Sequence, residues 1–177
     1  MNGNRPNILW YCTDQQRFDT IGALGNEFVQ TPVLDQFVEG GTAFTHAYCQ
    51  SPICTPSRSS FMTGIYPSKL HNTRNGNDTF PSGPTLISRL LFDAGYDCGL
   101  VGKFHLVSAG RRTEPRLDDG YRFWKHSHAP RDDWPEGHDY AEWVRDKGGD
   151  LDALRDHPDR VPREFHQNTW VKTPGLL

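Results

Sequence analysis

The alternation of strand-like and helix-like segments between residues 7 and 102 constrains this chain more than any other feature. Asn7-Ile8-Leu9-Trp10-Tyr11-Cys12-Thr13 is a compact apolar run that ends in Asp14-Gln15, the pattern of a buried strand delivering polar groups at its carboxyl end. Thr31 to Glu39 has a capping threonine, Pro32 in the first turn, apolar residues at helical spacing and Gly40-Gly41 as a stop. Thr42 to Tyr48 alternates like a strand, and a Pro- and Ser-rich loop from Ser51 leads into a helix expected from about Thr55 to Gly64. Leu86 to Gly95 carries the clearest amphipathic helical pattern, and Tyr96 to Gly102 reads as a further strand. Strand, helix, strand, helix, strand predicts the α/β class, with a mainly parallel sheet and flanking helices. Sheets of that kind gather their ligands beyond the carboxyl ends of the strands.

Beyond Leu106 the pattern changes. Arg111 to Pro135 is rich in charge, His, Trp and Pro without sustained periodicity and is expected to be an irregular insertion. Tyr140 to Lys147 fits a short helix, whereas Asp150 to Pro162 has few residues that could build a core. The division this suggests is a core over 1–110 and, over 111–177, an insertion and continuation of the same domain. A length of 177 residues suits one α/β unit or a piece of a larger one. With 19 Lys plus Arg against 22 Asp plus Glu, no strong field favours nucleic acid or an anionic membrane, so partners must be read from a site. The start, Met1 to Asn7, enters the first strand without a stretch long enough for a signal peptide or a span, and the expectation is a cytoplasmic chain. The four cysteines form no Cys-x-x-Cys spacing, and Cys12 and Cys98, each within an apolar run, are expected to be buried inert thiols.

Chemistry concentrates first at Cys54-Thr55-Pro56-Ser57-Arg58, followed by Ser59-Ser60-Phe61-Met62-Thr63-Gly64. A cysteine at a helix start meets unpaired backbone N–H groups and the favourable end of the dipole, where an anion could bind. One reading is a thiolate nucleophile steadied by Arg58. Cysteine phosphatases, however, place five residues between Cys and Arg; here there are three, one of them Pro56.

Cys-x-Pro-Ser-Arg with Thr63-Gly64 closing the next helix is similar to the signature of the type I, formylglycine-dependent sulfatases of the alkaline-phosphatase-like superfamily. The resemblance implies that a separate maturation enzyme oxidises Cys54 to formylglycine, whose hydrate attacks sulfur. The second hydroxyl of the hydrate can then expel sulfate by restoring the aldehyde, which serine or unmodified cysteine could not do. Arg58 would stabilise the hydrate, and Thr55, Pro56 and Ser57 would shape the segment that the maturation enzyme reads. Asp14-Gln15 resembles the family's metal pair, which with the modified Cys54 would hold a divalent cation, Ca²⁺ foremost. Because Gln15 is a neutral amide, Mn²⁺ or Mg²⁺ also fits, as in the choline-sulfatase-like and phosphonate-monoester-hydrolase-like members that carry Asp-Gln. Gly102-Lys103-Phe104-His105-Leu106 resembles the family's Gly-Lys-x-His-Leu element, in which Lys103 would contact sulfate oxygens and His105 would hydrogen-bond the formylglycine. The match covers roughly the first 110 residues in the expected order.

The activity so implied is hydrolysis of a small-molecule or carbohydrate sulfate ester, without nucleic-acid or membrane partners. The alternatives are a phosphonate or phosphate monoester hydrolase using the same nucleophile, and a truncated, inactive remnant. Phe165 to Trp170 is similar to a His-Gln-Thr-Thr-Trp stretch of bacterial members, after which Lys172-Thr173-Pro174-Gly175 replaces the expected helix. The family's second pair of metal ligands and its leaving-group acid have no counterpart in these residues.

Other polar clusters have plainer readings. His71 to Asn77 could face a substrate, but a polar turn serves equally and the segment stays outside the catalytic list. His126, His128 and His138, with Asp132, Asp133 and Asp139, lack helical metal-ligand spacing and read as incidental histidines of a solvated insertion. Trp124, Trp134, Trp143 and Trp170 could line a pocket or cover a core edge. Asp150 to Arg163 reads as a solvated connection.

Overall fold

The computed structural model describes residues 5–109, 113–128 and 137–155. The chain divides into two compact units, residues 1–48 and 49–177.

In the first unit, Asn7 to Thr13 is exposed chain with no strand partner among the described residues, and Thr42 to Tyr48 likewise forms no strand. Both differ from the expected strands. An apolar run becomes a buried strand only when neighbours satisfy its edges and cover its faces, and the described residues supply no such neighbours. Cys12 is accordingly exposed rather than buried. The ordered part consists of two single 3₁₀ turns, Phe18–Thr20 and Gly22–Leu24, and helix α1, Pro32–Gly40. Thr31 precedes α1 but makes no cap with its side chain. Its hydroxyl instead accepts the Gly22 N–H at 2.8 Å and donates to Asp35 Oδ1 at 2.8 Å, while Asp35 also takes the Ala23 N–H at 2.9 Å. The residues at the helix start thus fasten α1 to the preceding turn.

The second unit runs through α2 (Cys54–Thr63), α3 (Pro67–Leu70), α4 (Ile87–Asp93), β1 (Cys98–Gly102), β2 (Tyr121–His126), α5 (Asp139–Asp146) and α6 (Leu151–Arg155). Strands β1 and β2 pair in parallel from Cys98 opposite Tyr121 to Gly102 opposite His126, with a register shift after Cys98. The parallel sheet with flanking helices is the expected class. Strand β2, however, lies inside the stretch expected to be irregular. Tyr121, Phe123 and Trp124 are strong strand formers, and the charges and prolines around them conceal a segment of only six residues.

Met62 of α2, Leu86, Phe104 and Leu106 form the core, with Phe61, Phe80, Leu100, Leu117, Tyr121 and Trp124 packed against them. Phe104 meets Tyr121 edge-on with centroids 5.8 Å apart and Trp124 at 5.3 Å, a geometry favoured by the ring quadrupoles. Trp124 therefore covers the core, and Arg116 lies 4.3 Å over its outer face. Burial, aided by the charge of Asp97, pushes the Cys98 thiol above its ordinary range. A satellite core of Ala141, Val144 and Leu151 joins α5 to α6; Asp150 and Asp152 beside it are exposed, and residues 156–163 of that charge run lie outside the described residues. Trp143 is exposed, while Trp134, Trp170 and the Phe165–Trp170 stretch lie outside the described residues. Among the described residues no helix is long and apolar enough to cross a membrane.

Gly120 marks the closest approach. Its φ is +75°, and a Cβ there would lie 2.9 Å from the Arg89 Cα, the Phe92 Cβ and the Ser88 carbonyl oxygen. Only glycine lets the chain enter β2 so close to α4.

Candidate active site

Helix α2 carries Cys54 as its first residue, half-buried with a free thiol. Ile53 precedes it and offers no side-chain cap. A remote residue does this work, since Asn75 Oδ1 accepts the Thr55 N–H at 2.9 Å. Gly64, at φ +71°, closes the helix by donating its N–H to the Ser60 carbonyl. One turn after Cys54 the buried guanidinium of Arg58 donates from Nη1 to the Lys103 carbonyl at 2.7 Å. The Cys54–Arg58 and Gly102–His105 motifs, far apart in sequence, are therefore joined by a direct bond.

Strand β1 ends at Gly102, and Phe104 drives the following turn into the core. On either side of that anchor stand Lys103, half-buried, and His105, only 8% exposed. His105 has φ +56°, a left-handed backbone that is costly for a residue with a side chain. The Glu114 carboxylate accepts the His105 N–H at 2.6 Å on Oε2 and the Leu106 N–H at 3.2 Å on Oε1.

The expected metal pair lies in the first unit. Asp14 and Gln15 are exposed, and Gln15 shares the left-handed backbone at φ +53°. As hard oxygen donors they fit a divalent cation in kind, and they supply two of the six to eight oxygens that Ca²⁺ takes. No group of three His, Cys, Asp or Glu side chains suited to a metal occurs among the described residues.

The sulfatase family model matches residues 6–161. The chain belongs to the sulfatase family. It is 36% identical to human steryl-sulfatase over 63% of its own length and 21% of that protein. It is 31% identical to the arylsulfatase of Clostridium perfringens over 96% of its length and 35% of that protein. The crystal structure of yidJ from Bacteroides fragilis, assigned as a sulfatase, superposes with a TM-score of 0.50 at 37% identity, covering 54% of this chain and 22% of that one. The chain thus spans between about a fifth and a third of these relatives, and its fold is a partial sulfatase domain of the alkaline-phosphatase-like type.

Within this family member, the His71–Asn77 segment is a brace. Asn72 is fully buried; its Nδ2 donates to Ser59 Oγ at 2.7 Å and to the Leu106 carbonyl at 3.1 Å, and its Oδ1 accepts from Asn77 Nδ2. The Asn77 carbonyl accepts the Ser108 N–H at 2.6 Å. Three asparagines within six residues are more hydrogen-bonding capacity than a solvated turn needs, and that density was the available signal. Glu114 had none, because its partners are backbone groups.

The histidines also differ from expectation, since His126 and His138 are only 2% and 1% exposed. His138 Nδ1 accepts the Ala141 N–H to cap α5, and its Nε2 meets the His128 backbone. His126 stacks on Trp124 with centroids 5.6 Å apart. Asp139 binds Lys125 at 2.9 Å and the His126 N–H at 2.7 Å, holding the start of α5 against β2. The hydrogen bond to Asp139, aided by its charge, raises the Lys125 ammonium above its usual range. Burial in the core and at a helix cap accounts for these residues, while Asp132 and Asp133 lie outside the described ones.

Proposed function

We propose that the protein is a sulfate-ester hydrolase in which Cys54, converted to formylglycine, is the nucleophile and Arg58, Lys103 and His105 are catalytic. The observation that carries this reading is the Arg58 Nη1 to Lys103 carbonyl bond at 2.7 Å, which ties the nucleophile's helix to the turn bearing Lys103 and His105. When present, formylglycine supplies a hydrated aldehyde as nucleophile, and the divalent cation, with Asp14 and Gln15 among its oxygen ligands, supplies polarisation of the sulfuryl oxygens. The chain's own part is electrostatic. Arg58 spends one donor on the tether, which fixes the guanidinium one turn from residue 54. Lys103, on a turn anchored by Phe104, is a compact positive charge for the sulfate oxygens, where negative charge is concentrated during S–O cleavage. The His105 ring would hydrogen-bond the hydrated nucleophile. Arylsulfatase and ulvan-active sulfatase are among the relatives, which supports an aryl or carbohydrate sulfate as substrate.

Mass spectrometry of the peptide containing Cys54, after co-expression with a formylglycine-generating enzyme, is expected to show the aldehyde. An unmodified thiol would remove the nucleophile. Turnover of an aryl sulfate above that of the matching aryl phosphate is the expected second result; the reverse order would assign the site to phosphate or phosphonate monoesters.

A further inference from the structure

We infer that Glu114 is a positioning residue for the Lys103–His105 turn, its buried carboxylate holding His105 in the left-handed backbone through a clasp on two successive amides. The inference rests on the sulfatase reading of the same site and adds a residue that the catalytic motifs do not contain. The Glu114 side chain is 0% exposed. Both of its oxygens are engaged, Oε2 by the His105 N–H at 2.6 Å and Oε1 by the Leu106 N–H at 3.2 Å. Hydrogen bonds to an ionised acceptor are short and strong, and two parallel ones fix direction as well as distance. A carboxylate buried so deeply needs a compensating group, and His126 Nε2 stands 3.5 Å from Oε2 with its own side chain 3% exposed.

The clasp acts where the backbone would otherwise relax. His105 at φ +56° is held between Phe104, locked edge-on between Tyr121 and Trp124, and Leu106, which is fully buried. The His105 ring then lies edge-on to His128 with centroids 4.6 Å apart. Loss of the clasp would free the turn to return to an ordinary conformation and carry the Lys103 and His105 side chains with it. A merely structural carboxylate would stabilise the fold without any particular effect at residue 105. That difference is measurable.

The test uses the full 177-residue chain, ¹⁵N-labelled, as wild type, E114Q, E114D and H126Q. In E114Q the amide protons of His105 and Leu106 are expected to move upfield and to exchange with solvent at least about tenfold faster, while amides of α2 and β1 keep their wild-type rates. In protein carrying formylglycine at position 54, E114Q is expected to lower kcat for an aryl sulfate about 100-fold with KM little changed, and E114D to recover part of the loss. Unchanged shifts and exchange at His105 and Leu106 in E114Q, or acceleration spread evenly over all elements, would overturn the inference. Should E114Q fail to fold, H126Q decides: the same two amides should shift in the same direction by a smaller amount, and no change there counts against the clasp. If formylglycine-bearing wild type hydrolyses no aryl sulfate, the sulfatase reading fails, whereas the amide measurements still judge Glu114.

Discussion

Asn72 shows how one side chain can hold two distant segments together. With no exposure, it gives donors to Ser59 in α2 and to the Leu106 carbonyl beyond β1. Replacing it with leucine of similar size, Asn72→Leu, leaves two buried acceptors without their donor, each worth about 1–3 kcal/mol. Denaturant unfolding should therefore show a loss of about 3 kcal/mol; a loss below about 1 kcal/mol would mean that water or a rotated hydroxyl replaces the amide. The cysteines give a second residue-scale prediction. Cys98 is half-buried with its thiol pushed up, whereas Cys12 and Cys49 are exposed. Near pH 8 iodoacetamide should modify Cys12 and Cys49 first, and peptide mass spectrometry would detect the opposite order. The motifs that bear Cys54, Arg58, Lys103 and His105 were legible because they resemble family signatures with particular residue types at fixed spacing. Asn72, Asn75 and Glu114 were not, because they act on backbone groups and on residues remote in sequence, which leave no local pattern.

At the scale of elements, α1, α2, α4, α5 and β1 follow from periodicity, proline and glycine placement, since local preference and packing agree there. The strands expected at Asn7–Thr13 and Thr42–Tyr48 were inferred from composition alone, and composition cannot provide partners. Strand β2 was missed for the converse reason, because its partner β1 and the ring of Phe104 recruit a short aromatic segment. Two predictions belong here. Gly120→Ala adds a left-handed penalty of about 1 kcal/mol to a 2.9 Å collision with the α4 backbone, so a thermal melt should show destabilisation of about 2–4 kcal/mol. Burial raises the Tyr121 phenol above its ordinary value of 10.0. The folded state then favours the protonated ring, and this contribution is complete below pH 10.0 and is lost as pH rises through the higher folded value. Melting temperature should fall more steeply above pH 10 in wild type than in Tyr121→Phe, and equal slopes would contradict the burial.

Among the described residues the molecule holds a two-stranded sheet, short of the three or more strands that usually make a sheet independently stable. Helices packed on one core supply what the sheet lacks, and the second unit contains both of its strands. Hydrogen exchange should reflect this, with amides of residues 7–13 near unprotected rates and those of β1 and α2 protected at least about 100-fold. Protection over 7–13 would reveal strand pairing that the structure lacks. Length bounded the answer to one α/β unit or a piece of a larger one and charge balance pointed to no partner, so the chemical reading had to come from three short motifs. The tether between two of them has a practical use for dissection. Arg58 reaches the main-chain oxygen at position 103, not the side chain. The identity of residue 103 can therefore change while the tether keeps its acceptor, so Lys103→Ala would remove the ammonium and leave that bond in place, whereas Arg58→Ala removes a charge and a fastening together.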